Sequence, residues 1–387
     1  MFVKSLYLCL LLMTTSLMSA QYYKTTDRSI AVMGKPCENG SLDEEIAWEE
    51  ENAYLAAPAG ETFLHEPAFT EEFLDRYRFP IDKPSFYANA DFLYWKAYCE
   101  NLDYVTKGAQ PPIPSGRNQG PIGTYLRGDY EWAPGFRLGM GYCFKPDFWE
   151  IEGDYTFFFD EGNNSAKAKT INPPSLNGAY PQHTGTLLKA KSHVDLHYHV
   201  ADLYLASRFL VRSRLLLRFQ FGPTGAFLEQ KWKIIYTGFS EQSTMKVKWR
   251  FEGLGFRLGM LGDWIIGKGF GIFSQASLAG IFGVYHNHTF QRDVLFSGPT
   301  NLLVDAKIHE HRLVPHFQFL MGPSWGKNFR SWSLFLSAGY ELNLWMSDLQ
   351  EVLQGALQTI NNAGKDLRRT YGTFGTRGYT FKAQVNF

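Results

Sequence analysis

Beyond its first twenty residues the sequence has no run of eighteen uninterrupted apolar residues, so no later segment can cross a bilayer as a helix. Cysteine is scarce, four in 387 residues. No C-x-x-C pair or Cys/His spacing is present, which removes a zinc site from the reading. Net charge is absent too: 38 Lys and Arg balance 38 Asp and Glu. That leaves no electrostatic reason to expect nucleic acid or an acidic partner. No nucleophile motif and no cofactor-binding motif appears, so nothing calls for an enzyme or a cofactor.

What the chain has is aromatic residues, 16% of the total, and 36 glycines. It opens with Met1, Lys4, an apolar run over 6–13 and the small pair Ser19-Ala20. This reads as a signal peptide, 1–20, that directs export. Cys9 lies inside the apolar run behind Leu8, which argues against lipoprotein cleavage. Cys37, Cys99 and Cys143 then remain, an odd number that leaves at least one thiol free or paired between chains. Residues 21–83 are acidic and lack alternation; they read as a solvated periplasmic arm, with a lumen plug or a docking arm as alternatives. Ser41 and Glu44 form a capping box there for one short helix.

From residue 84 to 387 the apolar period is two. The end of the chain is the clearest case: Tyr379, Phe381, Ala383, Val385 and Phe387 share one strand face, and Thr380, Lys382, Gln384 and Asn386 the other. About ten such segments follow one another. In the segment around Val194, Leu196, Tyr198 and Val200 the phase slips near Ala201-Asp202, which reads as a bulge. Val247, Trp249 and Phe251 give way to Phe256, Leu258 and Met260 across a kink at 253–255. The hexapeptide Gly-Phe-Arg-Leu-Gly-Met occurs at 135–140 and again at 255–260.

The connections alternate short and long. Short ones fall at 145–147, 211–213, 262–268 and 326–328; long ones at 99–131, 161–190, 235–242, 287–303 and 347–370. The last long one carries a helix candidate, 348–361, with Leu349, Val352, Leu353, Leu357 and Ile360 at helical spacing. A soluble sandwich has no reason to sort its loops by parity. The expectation is an all-β transmembrane antiparallel barrel of about ten strands, with short periplasmic turns and long outer loops.

Two strands carry a family resemblance. Residues 91–97, Asp-Phe-Leu-Tyr-Trp-Lys-Ala, and 134–142, Pro-Gly-Phe-Arg-Leu-Gly-Met-Gly-Tyr, resemble the first two strands of pore-forming, MOMP-like outer-membrane proteins of Legionella and Chlamydia-like bacteria. The ending Val-Asn-Phe departs from that family's Arg-Phe-Asp-Phe-like terminus but keeps the alternation and the final Phe. The resemblance implies a cell outer-membrane location and a porin-like channel for ions or small solutes. A largely closed structural or adhesive surface barrel is the alternative, since ten strands enclose little more than their own side chains.

The candidate lumen charges are Arg137, Glu150, Glu152, Asp154, Arg214, Arg218, Arg257, Arg312 and Glu341. His193, Asp195, His197 and His199 alternate on one strand and read as polar lumen wall, or more weakly as a metal site. His286, His288 and Asp293 near a loop are the weak enzyme candidate. The expected partners are outer-membrane lipid and the barrel-assembly machinery, with a homo-oligomer left open. Tyr379, Phe381, Val385 and Phe387 resemble the terminal signature by which such barrels are handed to that machinery. Deleting Phe387 is therefore expected to cut outer-membrane yield far more than it lowers the urea midpoint of protein refolded in detergent. Wild-type yield from the deletion would remove the signal.

Overall fold

A computed structural model describes residues 84–108, 123–144, 149–171, 175–180, 187–212, 214–329, 331–355 and 367–387. The segments read as signal peptide and acidic arm, and Cys37, lie outside these residues. In chain order the strands are β1 (Ser85–Cys99), β2 (Asp103–Lys107), β3 (Thr124–Arg127), β4 (Ala133–Cys143), β5 (Trp149–Lys167), β6 (Leu176–Gly178), β7 (Leu187–Arg212), β8 (Leu215–Gly238), β9 (Glu241–Gly267), β10 (Phe270–Leu295), β11 (Thr300–Asn328), β12 (Ser333–Gly355) and β13 (Leu367–Asn386). Ten of them close a ring in the order β1-β13-β12-β11-β10-β9-β8-β7-β5-β4. Every neighbouring pair is antiparallel, and β1 seals the ring by pairing with both β13 and β4. Closure pairs every one of the ten strands on both sides over its lower part. The short strands β2, β3 and β6 form a separate three-stranded sheet.

The strands are far longer than a bilayer requires. β7 to β11 run 24 to 29 residues each, against roughly 9–11 for one crossing. Much of what reads as long loop in the sequence is strand. β8 ends at Gly238 and β9 begins at Glu241, so 235–242 is a tight hairpin. Likewise 287–303 is mostly paired, with Asn287 opposite Ile308. On the opposite end, the β9–β10 hairpin turns through Lys268 and Gly269 with left-handed φ of 52° and 80°. That is the backbone of the two-residue turns that match strand twist.

Each long strand exchanges its apolar face part-way along. In the lower half of β8, Leu217, Phe219, Phe221 and Phe227 face outward while Arg218, Gln220 and Thr224 face inward. In the upper half Glu229, Lys231 and Lys233 face outward, and Leu228, Trp232, Ile234 and Tyr236 are buried inside. β9 does the same: Leu254, Phe256, Leu258 and Trp264 are exposed below, whereas Met245, Val247, Trp249 and Phe251 are buried above. From Ile266 to Leu254 the outward apolar belt of β9 spans twelve residue-to-residue steps. At about 3.3 Å each and about 40° of tilt it rises roughly 30 Å, the depth of hydrocarbon.

This exchange accounts for two irregularities seen in the sequence. The pairing of β7 with β8 keeps one register through Ala201↔Gly225 and Asp202↔Thr224, so no bulge lies there. The pairing of β8 with β9 is equally continuous through Gly253 and Gly255. What changes is which face must be apolar, not the parity of the strand. The helix candidate is also corrected. Up to Gly355 the chain is part of β12, and 356–361 lie outside the described residues.

The belt predicts position-dependent tolerance. Leu258→Arg, on the outward face at mid-belt, should cost roughly 2–4 kcal/mol, while Ile235→Arg, outward but above the belt, should cost close to nothing. Urea titrations of the two refolded variants check this, and equal costs would contradict the belt boundary.

Candidate functional site in the barrel lumen

Inside the lower half, charges from strands one to three places apart in the ring meet along the lumen wall. Glu150 accepts from Arg208 and Arg218, and Glu152 from Arg218 and from Asn89 Nδ2 at 2.8 Å. Arg137 bonds Glu341 at 2.7 Å and Asp91 at 3.2 Å. Arg257 bonds Asp202 at 3.0 Å and donates to Gln318 and Ser277. Gln318, Thr380 and Asn343 donate to Glu341, which is fully buried. Buried charge survives only when paired and hydrogen-bonded, and these are. The chamber they line holds about 120 Å³.

The repeated hexapeptide does the same job twice. Arg137 and Arg257 point inward from β4 and β9, each two residues before a glycine on the same face. A Cβ on Gly139 would lie 1.9 Å from Asp154 Oδ1, and one on Gly259 would lie 2.9 Å from the Gln220 side chain. The glycines make room for polar side chains of neighbouring strands that point into the lumen beside the two arginines.

Above the chamber the lumen is closed by aromatic side chains from five strands. Trp95 of β1 meets Phe158 of β5 at 5.5 Å and Tyr198 of β7 at 6.3 Å between ring centroids. Tyr198 meets Trp345 of β12 at 5.9 Å, and Trp345 stacks on His316 of β11 at 4.1 Å. Trp95, Phe158 and Trp345 are fully buried. Trp95 Nε1 donates to Thr380 Oγ1 at 3.1 Å, and the Arg137 guanidinium lies 5.6 Å from the Trp95 ring. The septum thus rests directly on the charge network below it.

One arm of the chain completes the closure. β11 and β12 pair only as far as His316↔Trp345. At Asp348 the backbone turns left-handed, φ 47°, a conformation Asp tolerates better than most residues. Residues 349–353 then lie inside the ring and are all buried. Their backbone is caught by a ladder on β10. Tyr285 Oη donates to Leu349 O at 2.9 Å and Asn287 Nδ2 to Glu351 O at 2.6 Å, while Leu353 N donates to Thr289 Oγ1 at 3.3 Å. Gln350 Oε1 accepts from Gln230 of β8 and Trp249 of β9, at 2.6 and 2.8 Å.

A belted ring of ten strands with a polar lower lumen has a match among known families. The family described as Legionella pneumophila major outer membrane protein precursor matches residues 78–387. The chain belongs to this family. It is therefore an outer-membrane β-barrel protein. No curated protein sequence matches it. Among solved structures, it is similar to the outer-membrane protease OmpT of Escherichia coli at 9% identity and a TM-score of 0.40, over 80% of this chain and 98% of that one. It is similar to the translocator domain of the autotransporter NalP of Neisseria meningitidis at 13% and 0.28, over 89% and 97%. The toluene transporter TodX of P. putida follows at 9% and 0.28, over 79% and 89%. These are likenesses of fold and carry no activity across.

Within this family member, Arg137, Glu150, Glu152, Asp154, Arg218, Arg257 and Glu341 all lie inside the lower barrel. Arg312 is inside the upper half instead, 3.7 Å from the Tyr285 ring and bonded to Glu351 and Glu310. Arg214 is corrected: it sits exposed on the β7–β8 turn, where the wall has already ended. His193, Asp195, His197 and His199 are on the outer face, because the strand has exchanged its polarity by that height. Their ring nitrogens are engaged locally, His193 with Asp195 at 3.0 Å and His199 with Tyr155 at 2.7 Å. Among the described residues no group of three His, Cys, Asp or Glu converges as for a metal. His286 and His288 face outward and Asp293 is buried inside, so they share no site. Cys99 and Cys143 are free thiols, each the last residue of its strand, and the antiparallel pairing of β1 with β4 puts them at opposite ends of the wall. Asp91, Asp202, His316 and Lys382 were not singled out in the sequence, since alternation along one strand does not show which polar residues meet between strands.

The network predicts a non-additive pair. Glu341→Ala leaves Arg137 buried without its main partner and should cost about 3–5 kcal/mol, whereas Arg137→Met with Glu341→Leu should cost less than Glu341→Ala alone. Urea unfolding midpoints of the two variants make the comparison.

Proposed function

We propose that this protein is a small-solute channel that is closed at rest and opens when the inward arm of β12 leaves the lumen. The observation that carries the reading is the layering of the lumen. A charged chamber lies in the lower half, and above it the closure is built by the septum and by an arm that parts from β11 near Asp348 and turns inward while staying paired with β13. A charged lower wall suits passage of hydrated solutes, with Arg137, Arg218, Arg257 and the facing carboxylates setting the field along it. The reading is of a transport protein and not of an enzyme.

A second reading, a closed structural or surface barrel, is favoured by the breadth of the septum. Aromatic side chains from β1, β5 and β7 join those of β11 and β12 there, so moving the arm alone leaves part of the seal in place.

Planar bilayers separate the two. The wild type is expected to be silent or to open rarely. Trp345→Ala combined with Tyr285→Phe, which trims the septum and removes one tether of the arm, should give discrete conductance steps. A variant that remains folded by heat-modifiability yet stays silent would favour the structural barrel.

A further inference from the structure

Above the belt, the outer faces of β8 to β11 are basic in a chain whose overall charge is zero. Beyond the belt these four strands direct outward seven Lys or Arg against three carboxylates, Glu229, Glu252 and Asp305. The excess is ordered. Lys231 pairs directly with Lys248. Lys248 in turn pairs with His288, and His288 with Lys307. One row across four adjacent strands therefore carries Lys, Lys, His and Lys with no acid in it. The next row upward adds a second direct lysine pair, Lys233↔Lys246.

Side chains directly opposite in an antiparallel pair have Cβ atoms about 5 Å apart, and like charges at that spacing repel. The nearby carboxylates relieve only part of this. Glu229 is shared between Lys231 and Lys248 at 2.9 and 3.0 Å, Glu252 is taken by Arg250 at 3.0 Å, and Asp305 by His288 at 2.8 Å. Lys248, Arg250, His286, His288, Lys307 and His309 also border a surface groove of about 430 Å³. A multivalent anion seated there would relieve the row.

Height identifies which anion. Lys248 lies six residues above Leu254, the last apolar residue of the β9 belt. That is roughly 15 Å of vertical rise, and long cationic side chains reach back toward the interface. The row thus stands where the headgroups of lipids packed against the belt carry their phosphates. We propose that Lys231, Lys248, His288 and Lys307 form a binding site for a phosphorylated outer-leaflet lipid, whose acyl chains lie on the apolar belt below. The site does not depend on whether the lumen conducts.

The full barrel, refolded in detergent, can be titrated with bisphosphorylated lipid A while its thermal unfolding is followed. The wild type should be stabilised by lipid A, less so as salt rises. Lys231→Gln, Lys248→Gln and Lys307→Gln together should weaken binding about a hundred-fold, since each basic residue near an anionic lipid surface contributes about one factor of five. The corresponding Lys→Arg triple variant should retain it. Without lipid the Gln variant should be at least as stable as wild type, because its loss relieves repulsion. Inorganic phosphate, which has no acyl chain, should stabilise the wild type far less. Equal lipid A affinity in the Gln variant, or equal stabilisation by phosphate alone, would overturn the assignment.

Discussion

Hydrocarbon accepts no unpaired backbone group and no charged side chain on the outside of a wall, and water accepts no continuous apolar wall. Strands of 24 to 29 residues must satisfy both rules in turn. They do so without breaking register, by exchanging their apolar face at the height where lipid ends. Below that height the barrel is a membrane protein, apolar outside and polar inside. Above it the same strands form a water-facing barrel with an aromatic core.

The other features follow from that exchange. Where the outer wall is apolar, the inner wall must hold polar residues at close quarters in a ten-stranded ring, and they do so by ion pairs between strands two or three places apart. Where the outer wall turns polar, apolar side chains fill the interior and shut it. The septum from Trp95 to Trp345 is the lowest layer of that core, which is why it sits immediately above Arg137 and Arg257. The inward arm of β12 is drawn into the same core, still paired with β13 on one side and held by Tyr285, Asn287 and Thr289 on the other, where β11 no longer pairs with it.

Strand existence and ring closure were legible in the sequence because period two is set by backbone geometry and survives any environment. The polarity exchange was not, because an exchanged face and a one-residue slip give the same pattern of letters. Hence the apparent bulge at Ala201-Asp202 and the apparent kink at 253–255 in strands that are continuous. The same ambiguity set His193, His197 and His199 inside when they are outside. Residues 349–353 read as helix because they are buried on both faces, so the alternation that marks a strand is lost. Arg214 read as lumen because parity says nothing about where a strand stops. The charges of the lower half were found where the wall is polar inward, and their partners on other strands, such as Asp202 for Arg257, needed the closed topology to be seen.

The central claim is that lipid ends between Leu254 and Glu252 on β9 while the strand runs on unbroken. It is tested most directly by placing a fluorophore on single cysteines along the outward face, from residue 264 to 246, in a Cys-free background, with brominated lipid as quencher. The account predicts strong quenching at 264, 258 and 256 and a sharp loss at 250, 248 and 246. Quenching that continues undiminished to 246 would contradict it.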